Sequence, residues 1–203
     1  HRQQRPVPHL EPAVRADLID TISEEAERLN LFVANLLNMT RLEGDGLKPQ
    51  AAPFNVVEVV DRLLARMDRR RGGRRLEREV GEGDLTVLGD PVLLDQALSN
   101  VVENALRFSP DGSTVRVLVA GGPGVRIQVT DEGPGVPEPE LERIFEKFFR
   151  SPAVSENIQG AGLGLSITRG LVEATGGAVR AAARPDRSGL IVTLDLPRAE
   201  LAA

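Results

Sequence analysis

Two asparagines four residues apart, Asn100 and Asn104, stand in a stretch whose neighbouring positions Leu94, Ala97, Leu98 and Val101 are apolar. Pro91 can open a helix there, because its missing N–H is not needed in a first turn. The pattern predicts a helix from Pro91 to about Phe108, and residues four apart share one helix face. As helix caps or surface amides, two asparagines would mean little. Beside the small Ala105, on a helix apolar at Leu94, Ala97, Leu98 and Val101, and in company with the blocks that follow, they point to a polar ligand. An amide oxygen can ligate Mg²⁺ next to phosphate oxygens without adding a second negative charge. Arg107 and Phe108, one turn on, offer a cation to phosphate and a flat ring to a base.

Three further blocks follow in order. Asp131-Glu-Gly133-Pro-Gly135 comes after a predicted strand, and its carboxylate can accept a hydrogen bond from the exocyclic amine of adenine. Its two glycines allow backbone to approach a base where a Cβ would collide. Alone, such a run is a common turn. Gly160-Ala-Gly162-Leu163-Gly164-Leu165 precedes a predicted helix, so backbone N–H groups and a helix N-terminus can receive phosphate. A dinucleotide-binding fingerprint does not fit, since the third glycine comes two residues after the second and the run follows an irregular segment instead of a strand. No Gly-Lys-Ser/Thr occurs, which removes a Walker loop. The segment between Gly135 and Gly160, which contains Phe145-Glu-Lys147-Phe148-Phe149-Arg150 and has a polar second half, is too long for a tight turn and reads as a mobile lid. Lys147 and Arg150 would reach phosphates from it, and Phe145, Phe148 and Phe149 would anchor it.

Around these blocks the apolar period sorts the chain. Residues 1–12 carry Pro6, Pro8 and Pro12 and read as an irregular lead-in. From Ala13 to Glu43, Leu18, Ile22, Leu29, Phe32, Val33, Leu36 and Leu37 form one helical stripe, with Gly44 and Gly46 as the stop. A helix of this kind needs a partner, either its own chain or a second hairpin in a bundle. Val56–Met67 reads as a helix and Leu76–Val80 and Thr86–Leu88 as strands. Thr114–Val119 and Val125–Thr130 alternate around Gly121-Gly-Pro-Gly124 as a hairpin. A helix from Gly162 to about Thr175 and strands Val179–Ala183 and Leu190–Leu196 complete the set. Strands and helices cluster without strict alternation, so the class is α+β, a two-layer α/β sandwich behind one long amphipathic helix. The domains are then 13–47 for that helix, 53–198 for the sandwich and 199–203 for a tail.

Composition narrows the function classes. No run of about 20 apolar residues occurs, so no transmembrane helix or membrane contact is expected. With no Cys there is neither a disulfide framework nor a thiolate metal site, as suits a cytoplasmic domain. A net charge of −5 argues against a nucleic-acid partner, and the basic run Arg69–Arg71 with Arg74 and Arg75 reads as a solvated loop.

The four blocks together resemble the ATP-binding domain shared by bacterial sensor histidine kinases, gyrase B, MutL and the large heat-shock chaperone, over roughly residues 14–198. Arg28-Leu-Asn-Leu-Phe-Val-Ala-Asn-Leu-Leu-Asn-Met-Thr-Arg-Leu-Glu43 is similar to the second helix of the histidine-kinase dimerisation hairpin. With Arg-Ile-Phe-Glu-Lys-Phe-Phe-Arg150 and Gly-Leu-Gly-Leu-Ser-Ile167 it looks most like the potassium-responsive Kdp sensor kinases. The resemblance implies ATP and Mg²⁺ as cofactors, with Asn104 on the metal, Asn100 beside the phosphates and Asp131 on adenine. Gly133 and Gly135 would flank the base. Arg107, Phe108, Phe148 and the Gly160, Gly162, Leu163, Gly164, Leu165 run would complete the nucleotide site, while Lys147 and Arg150 stabilise the transferring phosphoryl group. ATP-hydrolysing relatives carry Glu, the base for water, where this chain has Asn100, which fits transfer to a protein histidine. The implied partners are a response-regulator receiver domain and a second copy of the parent protein. The implied location is the cytoplasmic portion of a membrane-anchored sensor.

The resemblance also implies an acceptor histidine in a His-Asp/Glu-x-x-x-Pro helix. Only His1 and His9 are present, and Arg2 stands where the acidic neighbour would be. About 30 residues separate His1 from Val33, too few at ~1.5 Å per residue for a full helix, a turn and the return helix. No phosphoacceptor is assigned, and the expectation is a piece that binds Mg·ATP without phosphorylating itself. The rival reading is a nucleotide-gated protein-binding switch, anti-sigma-like or a degenerate kinase. A buried Leu29–Leu37 stripe would favour that rival and an exposed one the kinase.

Overall fold

The computed structural model describes residues 49–152, 161–186 and 188–198, with isolated positions in the N-terminal stretch: Val14, Arg15, Leu18, Ile19, Thr21, Ile22, Val33, Leu37 and Thr40. Those isolated positions are all helical. Their apolar members, Leu18, Ile22, Val33 and Leu37 among them, are exposed. Leu29, Phe32, Leu36, His1, His9 and Gly160 lie outside the described residues, as does most of the polar stretch after Ser151.

Strands β1 (Ala52–Asn55), β2 (Arg75–Val80), β3 (Thr86–Gly89), β4 (Thr114–Gly121), β5 (Gly124–Thr130), β6 (Ala178–Ala183) and β7 (Leu190–Pro197) form two sheets. The larger runs β2-β4-β5-β7-β6, with β2 parallel to β4 and every other pair antiparallel. The smaller is the antiparallel pair β1-β3, joined to the end of β7 by a bridge between Val87 and Arg198. Helices α1 (Val56–Met67), α2 (Pro91–Phe108) and α3 (Gly164–Ala174) form the second layer.

Alternation decides which face of the sheet receives the helices. Val115, Val117 and Val119 on β4, Val125, Ile127 and Val129 on β5, and Val192, Leu194 and Leu196 are all buried, as a period of two requires. The opposite face carries charge: Arg116 bridges Glu77 and Glu79 of β2, at 3.1 and 3.0 Å, and Asp195 takes Arg126 at 2.7 Å and also Arg180.

Two polar residues start the first two helices. Asn55 accepts from the Val57 N–H at 2.9 Å. Asp90 accepts from Val92 and Leu93 through one oxygen and from Gln50 through the other, with Pro91 in the first turn as expected. From α1, Val56, Val59, Val60, Leu63 and Met67 enter the core, each worth about 1.5–3 kcal/mol of burial. Truncating Leu63, which is fully buried, would cost about 2–5 kcal/mol. From α3, the buried Thr168 hydroxyl lies within reach of the carbonyls of Ala97 on α2 and Gly164, which locks the two helices in register.

From Val56 onward the expected elements form within one or two residues of their predicted ends, while the bounds of the expected Ala13–Glu43 helix lie outside the described residues. The small sheet was not foreseen: β1 is four residues with Pro53 inside, a residue confined to strand edges. The basic run is not simply solvated. Arg70 pairs with Glu103, Arg71 with Asp68 and Arg74 with Asp111, and Arg74 also donates to the Ser109 carbonyl at 2.9 Å.

Candidate functional site

The α2 face carrying Asn100 and Asn104 meets the start of α3. A Cβ built on Gly164 would lie 3.5 Å from the Asn104 amide nitrogen and 3.8 Å from the Asn100 Cβ, so two motifs 60 residues apart in sequence become one surface. No side chain caps α3: its cap position is Leu163, and its first turn has no acidic residue. An uncapped N-terminus leaves backbone N–H groups and a positive dipole end for an anion.

Asn100 is 4% exposed, and its amide nitrogen has no hydrogen-bond partner among the described residues. A buried polar group left without a partner costs about 1–3 kcal/mol, so a ligand that pairs with this amide would recover that cost. Among the described residues no cluster of three or more His, Cys, Asp or Glu could hold a metal. A cation here would therefore rest on amide and phosphate oxygens, a donor set suited to Mg²⁺, and Asn104 fits that role.

Across the site, Asp131 ends β5 and is 7% exposed. Its Oδ1 accepts from the N–H groups of Gly133 at 2.8 Å and Leu190 at 3.1 Å; its Oδ2 receives neither. Burial pushes its carboxyl above the usual range, while those two N–H groups and the Arg184 cation pull the other way. Gly133 is required, because a Cβ there would stand 2.9 Å from the Phe108 carbonyl oxygen at the end of α2. The Asp131–Gly133 turn and the amide-bearing helix are thus in close backbone approach.

The segment after Gly135 departs from expectation in its first half. Instead of lid, it forms compact 3-10 turns at Glu138–Glu140 and Arg143–Phe145. Phe145 anchors them, 3% exposed beneath the Arg169 guanidinium at 4.2 Å, and Arg169 reaches Glu142 at 2.7 Å. Phe149 is half-buried under Arg143. Phe148 does not anchor anything: its ring is 63% exposed and its backbone is left-handed, φ 63°. Its N–H donates to the Gly162 carbonyl at 2.9 Å, and Gly162 is itself left-handed, φ 68°. That pair joins the aromatic block to the glycine run. Lys147, Arg150 and Arg107 are exposed.

Glu103, one residue before Asn104, turns away from the site. It pairs with Arg70 at 3.3 Å beyond the end of α1, and burial raises its pKa. It is not placed to serve as a base for water.

Sequence reasoning placed strands β6 and β7 but missed that the turn between them packs on the Asp131 segment. The Asp131 N–H donates to the Leu190 carbonyl at 3.0 Å and the Leu190 N–H donates to the Asp131 carboxylate at 3.1 Å, Ser188 donates to the Gly133 carbonyl at 2.8 Å, and Arg184 donates to the Asp131 carbonyl at 3.1 Å. The only local signal was Pro185, Asp186, Ser188 and Gly189, which mark a turn without saying what it touches. A cavity of about 250 Å³ opens between this hairpin and Pro134–Pro137. None of its lining residues comes from α2 or α3, so it is separate from the Asn100–Gly164 surface.

Residues 89–200 match the family described as histidine kinase-, DNA gyrase B-, and HSP90-like ATPase. The chain belongs to this ATPase family. Within the family it is similar to the sensor protein KdpD of Mycobacterium tuberculosis, 39% identical over 196 residues, covering 93% of this chain and 22% of that protein. The chain thus spans less than a quarter of that relative. Among solved structures it is similar to the mycobacterial sensor histidine kinase MprB, with TM-score 0.66 and 37% identity over 72% of this chain and 97% of that one. It is also similar to full-length ShkA in complex with AMPPNP, with TM-score 0.74 and 28% identity over 96% of this chain and 41% of that one. The ATPase-family fold and a Kdp-like sensor-kinase relationship agree with the motif reading. Among the described residues, no helix is long and apolar enough to cross a membrane.

Proposed function

We propose that this chain is the ATP-binding catalytic region of a sensor histidine kinase, which moves the γ-phosphoryl group of ATP to a protein histidine for relay to a response-regulator receiver domain. The observation that carries the proposal is the meeting of Asn104 and the buried, unpaired Asn100 with the uncapped start of α3 at Gly164. Phosphate would lie there, and adenine against Asp131, where Oδ2 remains to accept the base amine. Mg²⁺ held by Asn104 and phosphate oxygens would neutralise charge on the triphosphate. Lys147 and Arg150 would add cations near the transferring group, and Arg107, Phe108, Phe148, Gly135 and Leu165 would complete the enclosure. Position and electrostatics supply the rate, because phosphoryl transfer asks for little else from the protein.

Plain ATP hydrolysis is disfavoured because Glu103, beside Asn104 in sequence, is held by Arg70. One observation weighs against the protein-binding switch. The described apolar residues of the N-terminal stretch are exposed instead of packed on the sandwich, as a helix awaiting a bundle partner would be. In the parent protein that bundle would be a homodimer, and the location cytoplasmic.

The test is phosphotransfer in trans. The chain is mixed with Mg·ATP labelled at the γ-phosphate and a separate dimerisation hairpin bearing an acceptor histidine from a Kdp-type kinase. The P–O bond to the β-phosphate breaks and a P–N bond to imidazole forms. Acid-labile, base-stable label on the hairpin supports the reading; release of inorganic phosphate alone would make the chain an ATPase.

A further inference from the structure

Arg184 stands beside the exposed turn residues Pro185, Asp186 and Ser188 of the β6–β7 hairpin, yet its side chain is only 10% exposed. Its guanidinium is fixed from outside by Asp186, which takes Nε at 3.2 Å and Nη2 at 3.0 Å. That paired contact aims Nη1 inward, where it donates to the Asp131 carbonyl at 3.1 Å and lies 3.7 Å from the Glu132 carboxylate. Glu132 in turn accepts from the Thr114 N–H at the start of β4. The arginine backbone is tied down as well, its N–H donating to the Gly189 carbonyl at 3.3 Å. One planar fork therefore joins the hairpin to the turn that carries the base-reading carboxylate. Lysine could supply the charge but not the two-sided geometry.

We propose that Arg184 is a positioning residue for base selection: by clamping the Asp131 carbonyl against the β6–β7 hairpin, it holds the Asp131 carboxylate where it meets the exocyclic amine of adenine. This rests on the reading of Asp131 as the adenine contact. Asp131 makes its backbone bonds through Oδ1 to Gly133 and Leu190, one partner on each side of the clamp. Loosening the hairpin would let the carboxylate turn with it, while the Asn100–Asn104–Gly164 surface, built from α2 and α3, would remain. Base recognition and phosphate binding are thus mechanically separable in this chain.

The experiment compares affinity for ATP with affinity for purine riboside triphosphate, which lacks the 6-amino group, in the unaltered chain, Arg184→Gln, Arg184→Lys and Asp186→Asn, with melting temperature recorded for each. A hydrogen bond to a charged acceptor predicts that the unaltered chain prefers ATP by about ten- to hundredfold. Arg184→Gln should reduce that ratio at least about fivefold with little change for the analogue. Asp186→Asn, which loosens the clamp from the solvent side, should reduce it less, and Arg184→Lys should restore only part of it. If the variants fold and keep the full ratio, or lose affinity for both nucleotides equally, Arg184 is a structural cation only and the proposal is overturned. An unaltered chain that binds both nucleotides equally would remove the Asp131 reading itself, and this proposal with it.

Discussion

The Cα of Gly189 lies so close to the Asp131 carbonyl that a Cβ added there would stand 2.2 Å from the oxygen. Its backbone is also left-handed, φ 139°, in a region only glycine occupies without strain. Gly189→Ala must therefore push the hairpin off the base-reading turn. The expected cost is about 1–3 kcal/mol of stability, read by denaturant melting. ATP affinity should fall further than affinity for tripolyphosphate, because the displaced element is the one that holds Asp131.

Asp131 gives opposite pH signatures for folding and for binding. Burial raises its folded pKa, partly opposed by the Gly133 and Leu190 N–H groups and by Arg184, which is itself shared with Glu132 and Asp186. The native state then holds the proton more tightly than the unfolded chain. This carboxyl's contribution to stability is fully present below its unfolded pKa and is lost as pH rises through the folded one. Adenine recognition needs the ionised form, so affinity should fall as pH drops through the same raised value. Titrations of ATP stepped downward from neutral pH should show affinity failing before carboxylates of ordinary pKa protonate. In Asp131→Asn that step should disappear.

Asn104 and Asn100 should separate under mutation. Asn104 is partly exposed, and Asn104→Ala should leave the melting temperature nearly unchanged, as surface changes of about ±0.5 kcal/mol do, while removing the Mg²⁺ dependence of nucleotide binding. Asn100→Ala deletes a buried amide whose nitrogen has no partner. It should leave the empty protein as stable or more so, yet weaken triphosphate binding about tenfold or more, since the group it removes is one a ligand would satisfy. Thermal melting with and without nucleotide reads both effects at once.

The aromatic block and the glycine run depend on each other through Phe148 and Gly162. A Cβ on Gly162 would approach the Phe148 carbonyl carbon and the Phe149 oxygen at 2.8 Å each. Gly162→Ala should cost about 1–3 kcal/mol and reduce affinity for triphosphate more than for adenosine. Phe148→Gly should relieve the left-handed strain, about 1–2 kcal/mol, at the expense of the exposed ring.

What was legible in the sequence is what local chemistry determines. Pro91 and the apolar spacing of α2 placed Asn100 and Asn104 on one face, Gly121-Gly-Pro-Gly124 placed the β4–β5 hairpin, and the charged outer face of the sheet follows from alternation. What was not legible depends on partners distant in sequence. Nothing near Arg184 says that it will meet Asp131, 53 positions earlier. Phe148 looked like an anchor because aromatics are usually buried; here the Gly162 contact turns its backbone and sends the ring outward. The β1–β3 pair escaped notice because Pro53 argues against a strand, and only an edge position makes it tolerable. The basic run between α1 and β2 looked solvated because its acids, Glu103 and Asp111, come from the next helix and loop.

The central claim is that Asp131 and the Asn100–Asn104–Gly164 surface form one nucleotide site. Calorimetric titration of Mg·ATP into the chain and into Asp131→Asn tests it most directly. The account predicts saturable one-site binding that is lost or weakened at least about tenfold in the variant, with the variant still folded. A folded chain that binds no ATP, or an Asp131→Asn variant that binds it undiminished, would contradict it.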